Sequence, residues 1–279
     1  MPAQDHGIFR EFATYVGWLV LSGLVTMLII FSVALVVFQT KTVPPAASLP
    51  FFAALWVATY LRLRKTGGAF ADIGLTKTRW PTYFCYGALF GTAFMSAIHV
   101  ALLLAETVES SIEILTGSIV LSTLVGMAYT VVQSSTEELI FRGYLLNLFS
   151  RKGQGFSIIL TSALFSIGHF WHGVNPIGWL NIFLFGVFAS QLFYLFNSLW
   201  VPIGFHAAWN FAQTYVFAFP MYGRDSSGMF QLTVVSDNPV SGGSYGPEGS
   251  LLVSGLFLLL IALGFHLNRP KQSIMESSE

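Results

Sequence analysis

Apolar residues fall in long runs along this chain, and eight of the runs approach the about 20 residues an α-helix needs to cross a bilayer core of roughly 30 Å. They start near residues 13, 49, 81, 117, 155, 177, 199 and 250, the second and fifth being the shortest. The pattern predicts an all-α fold, a polytopic transmembrane helical bundle of about eight helices forming one transmembrane domain over 1–279. Between the seventh and eighth runs lies one long polar insert, about residues 221–249, rich in Gly, Ser, Asn and Pro. It reads as a mobile external loop.

Composition strengthens the membrane reading. Of the 279 residues 54% are hydrophobic, 16% aromatic and only 9% charged, against about a quarter charged in soluble domains. Lys and Arg then orient the bundle, because cytoplasmic loops carry the positive excess. With the N-terminus inside, Arg10, the cluster Arg62, Arg64, Lys65, Lys77 and Arg79, the pair Arg151 and Lys152, and Arg269 and Lys271 are cytoplasmic. Only Lys41 and Arg224 fall outside, where Glu106, Glu109, Glu113, Asp225, Asp237 and Glu248 also lie. Both termini are expected in the cytoplasm, and the first run is read as a retained helix. A short N-terminus and compact loops point to a bacterial inner membrane.

Charge and cysteine usage remove several function classes. A formal net charge of zero argues against a nucleic-acid partner; the Arg62 to Arg79 segment suits anionic headgroups instead. The single cysteine, Cys85, excludes an internal disulfide and any multi-cysteine metal site, and reads as an inert membrane thiol.

Ionisable residues within the apolar runs are few, and in a membrane each is a functional candidate by default. The fourth run carries Glu137, Glu138 and Arg142, the fifth His169, and the seventh His206 with Asn210. Glu138 and Arg142 stand at i and i+4 with the acid first, the favourable order for an ion pair on one helical face. Glu137 points about 100° away and need not share that partner. His206 and Asn210 are also at i and i+4, so both polar heads project to one side. If the chain turns at Gly153, Glu137 lies 16 residues before the turn and His169 lies 16 after it. In an antiparallel hairpin the two meet at one level, roughly 20 to 24 Å from the turn.

A carboxylate, two imidazoles and a carboxamide in one partly dry cavity suit hydrolysis. The carboxylate can take a proton from water, and donors from His206 and Asn210 can stabilise the oxyanion of a tetrahedral intermediate, at roughly 3 to 4 kcal/mol for one well-placed donor. Alternatively Glu137, His169 and His206 form a two-histidine, one-carboxylate set of the kind that holds a divalent metal such as zinc. Spacing does not choose between them.

The three motifs EELIFR, FSIGH and HAAWN, in that order and each in an apolar run, resemble those of the type II CAAX prenyl endopeptidases, the CPBP or Abi family of intramembrane proteases. The resemblance spans Glu137 to Asn210. It implies that Glu137 activates the attacking water with His169, that His206 and Asn210 stabilise the oxyanion, and that Glu138 and Arg142 hold the site together; some accounts of the family give these residues to a metal. The catalytic core would cover about 117–219, with hydrolysis near the cytoplasmic face of a membrane-tethered protein, either a prenylated CAAX-type protein or one tethered otherwise. A non-catalytic scaffold or bacteriocin-immunity protein, and a proton-coupled transporter, are the rival readings. Phe165 is expected to be a cavity wall, His172 a headgroup contact, and His99 and His266 structural. Gly87 and Gly91, four apart, suit close helix packing.

Overall fold

The computed structural model describes residues 2–33, 48–114, 116–170 and 175–267. Each of the eight apolar stretches contains a helix. They are α1 (Pro2–Val33), α2 (Leu49–Lys65), α3 (Trp80–Leu104), α4 (Gly117–Glu138), α6 (Gln154–Gly168), α7 (Pro176–Phe196), α8 (Trp200–Phe211) and α9 (Leu251–Leu267). In the fourth stretch α4 runs on through a π-helical segment, Leu139–Leu145, into α5 (Leu146–Ser150). By length and composition four helices can cross a membrane, within Gly7–Ile30, Trp80–Leu104, Gly117–Ser150 and Pro176–Phe196; Gln154–Gly168 and Leu251–His266 are apolar but shorter. The orienting residues Lys41, Arg269 and Lys271, and His172, lie outside the described residues.

The ends of these helices follow local chemistry. Thr116 accepts a hydrogen bond from the Ile119 amide to start α4, and Asn175 accepts one from Gly178, with Pro176 behind it, to start α7. Asn197 closes α7 in the left-handed conformation, φ 47°, a role asparagine fills almost as readily as glycine. The turn between α5 and α6 is at Gly153, φ 114°.

Helix α8 is the centre of the molecule. Every residue from Val201 to Asn210 is buried, which accounts for its being apolar all round apart from His206 and Asn210. Its closest neighbour is α3, and glycines set the approach. A Cβ at Gly87 would strike the Val201 carbonyl oxygen, one at Gly91 the Phe205 carbonyl oxygen, and one at Gly204 the Phe84 carbonyl oxygen. Only glycine lets the two backbones meet there. Phenylalanines fill the adjoining space, with Phe205 against Phe90, Phe185 and Phe188. Leu21, Leu28, Leu89 and Leu121 by contrast are exposed on α1, α3 and α4, as lipid-facing residues are.

On the outside, α1 and α2 clasp the end of the π-helical segment. The Tyr144 hydroxyl donates to Glu11 at 2.8 Å and accepts from Arg62 Nε at 3.2 Å, and Tyr15 stacks on the Tyr144 ring with centroids 3.9 Å apart.

The insert carries structure that its composition did not announce. Strand β2 (Phe230–Val234) pairs antiparallel with β1 (Val108–Ile112), Val108 opposite Val234 and Ile112 opposite Phe230, so the helical bundle bears a small two-stranded sheet. Beyond β2 the chain turns back, burying Ser241 to Gly243 and Gly246 to Ser250. Gly246, at φ 103°, sits so tightly that a Cβ would strike the Pro220 carbonyl oxygen. Asn181 of α7 secures the far end, donating from Nδ2 to the carbonyls of Glu248 at 2.7 Å and Ser250 at 2.8 Å while accepting from the Ser254 hydroxyl at 2.7 Å.

Candidate functional site

The expected residues meet where the end of α4, the end of α6 and the middle of α8 converge. Glu138 is fully buried and its Oε1 accepts from Arg142 at 2.9 Å, the i to i+4 pair expected from the sequence. It also accepts from His206 Nδ1 at 2.8 Å, a contact the sequence did not suggest. Glu138 therefore orients His206 as well as holding Arg142. The guanidinium lies over the Phe165 ring, 4.2 Å from its centroid, where the negative face of the ring favours a cation.

The pair leads directly into the π-helical segment. Leu139–Leu145 follows the two glutamates, and such wide turns within α-helices are often found at functional sites. Here the segment buries Leu139, Ile140, Gly143 and Tyr144 together with Arg142.

Glu137 faces another way. Its Oε1 accepts from Gln133 Nε2 at 3.0 Å. Its Oε2 is buried, accepts no hydrogen bond among the described residues, and lies 3.9 Å from His169 Nε2 and 3.8 Å from His206 Nε2. His169 caps α6, and its Nδ1 donates to the Phe165 carbonyl at 2.8 Å. A carbonyl accepts only, so Nδ1 of His169 must carry the proton, and the same holds for His206 Nδ1 against the Glu138 carboxylate. In the neutral rings each Nε2 is then a lone pair. Two lone pairs and a carboxylate oxygen are three acceptors about one point, and what suits them is a donor such as water.

A cavity of about 20 Å³ adjoins this point, lined by Phe165, His169, Asn181, His206, Asn210, Tyr222 and Glu248 among others. Space of that size admits about one water. Asn210 is buried, with its carboxamide on the same wall as His206. Phe165 is a wall, as expected, and its carbonyl also aims His169.

Tyr222, Glu248 and Asn181 were not anticipated. Tyr222 and Glu248 come from the insert, whose polar composition gave no sign that it folds inward. Glu248 is buried with Gln213, Tyr222 and Trp209 as hydrogen-bonding neighbours, and burial pushes its carboxyl up to about 7. Tyr222 is raised well above its ordinary value, by burial first and then by the charges of Glu248 and Glu137, so its hydroxyl stays protonated. Both carboxylates are thus near Tyr222, which lines the cavity with Glu248. Asn181, an amide in the mostly apolar α7, was a signal in the sequence that could have tied this helix to the insert.

The metal alternative asks that Glu137, His169 and His206 close on one ion. No group of three or more His, Cys, Asp and Glu side chains among the described residues is arranged to hold an ion. Glu137 Oε2 stands 3.8 and 3.9 Å from the ring nitrogens, wider than the about 3.3 Å edge of a tetrahedral zinc site with bonds of about 2.0 to 2.1 Å. Of the other histidines, His99 is buried and stacked on Phe217, centroids 4.3 Å apart, and His266 lies in the last turn of α9. Cys85 is exposed on α3.

No curated protein and no solved structure matches the chain. Residues 118–212, which hold Glu137, Glu138, Arg142, His169, His206 and Asn210, match the family model described as type II CAAX prenyl endopeptidase Rce1-like, and over those residues the chain is similar to that family of proteases.

Proposed function

We propose that this chain is an intramembrane endopeptidase that hydrolyses a peptide bond of a membrane-tethered protein, with Glu137 as the base that activates water. Glu137 Oε2 facing two ring nitrogens at 3.9 and 3.8 Å, with both Nδ1 atoms already committed, is the observation that carries this reading. A water held there is oriented by Glu137 and His169, and its proton passes to the carboxylate as its oxygen attacks the carbonyl carbon. The oxyanion develops towards the Asn210 amide and His206. For His206 to donate from Nε2 that nitrogen must take a proton in addition to the one on Nδ1, whose bond to Glu138 at 2.8 Å holds the ring in place.

The prenylated CAAX-type substrate belongs to this proposal through the name of the matched family. So do the eight-helix count and the cytoplasmic placement of both termini. In that orientation the turn at Gly153 is cytoplasmic, and the cavity lies at the other end of α6, next to the insert.

The test is a lipid-anchored peptide library incubated with the purified protein in detergent, wild type against Glu137→Gln. Cleavage by the wild type alone is expected. A Glu137→Gln protein that cleaves as well removes the assignment, and a transporter or scaffold shows no cleavage in either sample.

A further inference from the structure

One carboxyl group of the cavity is unused by this mechanism. Hydrolysis of an amide needs a proton at nitrogen, because an amide anion is too basic to leave, and Asn210 and the two imidazoles are occupied with the water and the oxyanion. Glu248 lines the same cavity as His206, His169 and Asn210, and its Oε2 is buried without a hydrogen-bond partner among the described residues. Three features fix it there: the Asn181 Nδ2 bond to its own carbonyl at 2.7 Å, the neighbouring Trp209 and Tyr222, and the tight turn at Gly246. Tyr222, which lines the cavity beside it, is within reach of the charge of both Glu248 and Glu137.

We propose that Glu248 is the acid of the reaction, holding on Oε2 the proton that the departing amine takes. The inference rests on the peptidase reading and extends it. Water loses one proton to Glu137 as its oxygen bonds to the carbonyl carbon. When the C–N bond breaks, its electron pair stays on nitrogen, which takes the proton from Glu248. Glu137 is left protonated and Glu248 ionised, and one proton moved between them through solvent restores both, so that peptide and water give acid and amine. The value near 7 set by burial keeps a proton available at neutral pH, as an acid partner to an ionised base requires. The insert is then part of the catalytic centre.

The test compares leaving groups. Substrates are the lipid-anchored peptide that the wild type cuts and the p-nitrophenyl ester of its acyl half, whose leaving group needs no proton. For Glu248→Gln the peptide rate is expected to fall at least about 100-fold while the ester rate stays within about threefold. Equal loss on both substrates, or no loss on the peptide, overturns the proposal. If the Gln variant melts early, Glu248→Ala with added formate decides: formate should restore peptide hydrolysis in proportion to its concentration, and no restoration overturns the proposal. Failure of the peptidase reading looks different. Then the wild type cuts neither substrate, or Glu137→Gln cuts both, and the assignment of Glu248 falls with it.

Discussion

The two neighbouring glutamates, Glu137 and Glu138, occupy regions of opposite character. Around Glu138 everything is sealed: the carboxylate is fully buried, and Arg142 and His206 converge on the same oxygen at 2.9 and 2.8 Å. Around Glu137 the packing opens, with the side chain about one-fifth exposed, one oxygen taken by Gln133 and the other facing two imidazoles beyond hydrogen-bond distance. One helix thus separates a charge that holds the bundle together from a charge free to react. A step of about 100° along α4 is enough to do it.

The comparison breaks most visibly if chemistry is removed on the open side. Glu137→Gln should lower kcat by 10²- to 10⁴-fold, the usual range for a general base, and leave the thermal midpoint in detergent unchanged within a degree or two. On the sealed side the order of effects reverses. Arg142→Met should cost about 3 to 5 kcal/mol of stability, because Glu138 loses the cation that balances it inside the bundle. Thermal unfolding in micelles measures this directly. The double variant Glu138→Gln, Arg142→Met should recover most of the lost stability, since removing both members of a buried pair is far less costly than removing one. Its activity should not recover, because His206 loses its orienting carboxylate.

The Glu138–Arg142 pair of the sealed side was legible in the sequence, whereas its contact with His206 and the far wall of the cavity were not. Spacing alone paired Glu138 with Arg142, set Glu137 apart, and placed Glu137 and His169 at equal distances from Gly153. These are properties of one helix or one hairpin, where 3.6 residues per turn decide what faces what. The His206 bond to Glu138 joins residues 68 apart, and no local period encodes it. The insert was misread for a related reason. Its Gly, Ser and Pro content describes a chain that turns often, and says nothing of whether the turns pack inward. Glu248 is buried by tertiary contacts from α7 and α8, through Asn181 and Trp209, and the same lack of period that marked the segment as a loop concealed them.

That wall can be tested by pH. Glu248 titrates near 7 in the folded protein against about 4.5 for a free carboxyl, so between these values the folded state binds the additional proton. Stability contributed by this group is therefore complete below about pH 4.5, declines as pH rises, and levels off above about 7, a difference on the order of 3 kcal/mol. Tyr222 and Tyr245, the other titratable groups beside it, are held above this range and do not contribute. The thermal midpoint of the wild type should fall by several degrees across pH 4.5 to 7, while Glu248→Gln, which carries no titrating proton there, should lack that part of the slope. Parallel curves for the two proteins would show that Glu248 is solvated and not part of the wall.

The smallest effect sharpens the comparison furthest. Gln133 Nε2 donates to Glu137 Oε1 at 3.0 Å, one helical turn earlier on the same face, and it fixes which of the two carboxylate oxygens is turned to the imidazoles. It touches neither water nor substrate in the proposed mechanism, so it is a positioning residue. Gln133→Leu keeps the volume and removes the donor. One neutral-to-charged hydrogen bond at a partly exposed group contributes about 1 kcal/mol, so kcat should fall about fivefold with KM unchanged. Gln133→Glu should do more harm than Gln133→Leu, because a second carboxylate would face Glu137 at the same spacing and turn attraction into repulsion. If Glu137 instead belonged to a sealed, structural region like that of Glu138, the Leu variant would lower the thermal midpoint and leave kcat alone, and the difference between the two glutamates would be one of packing only.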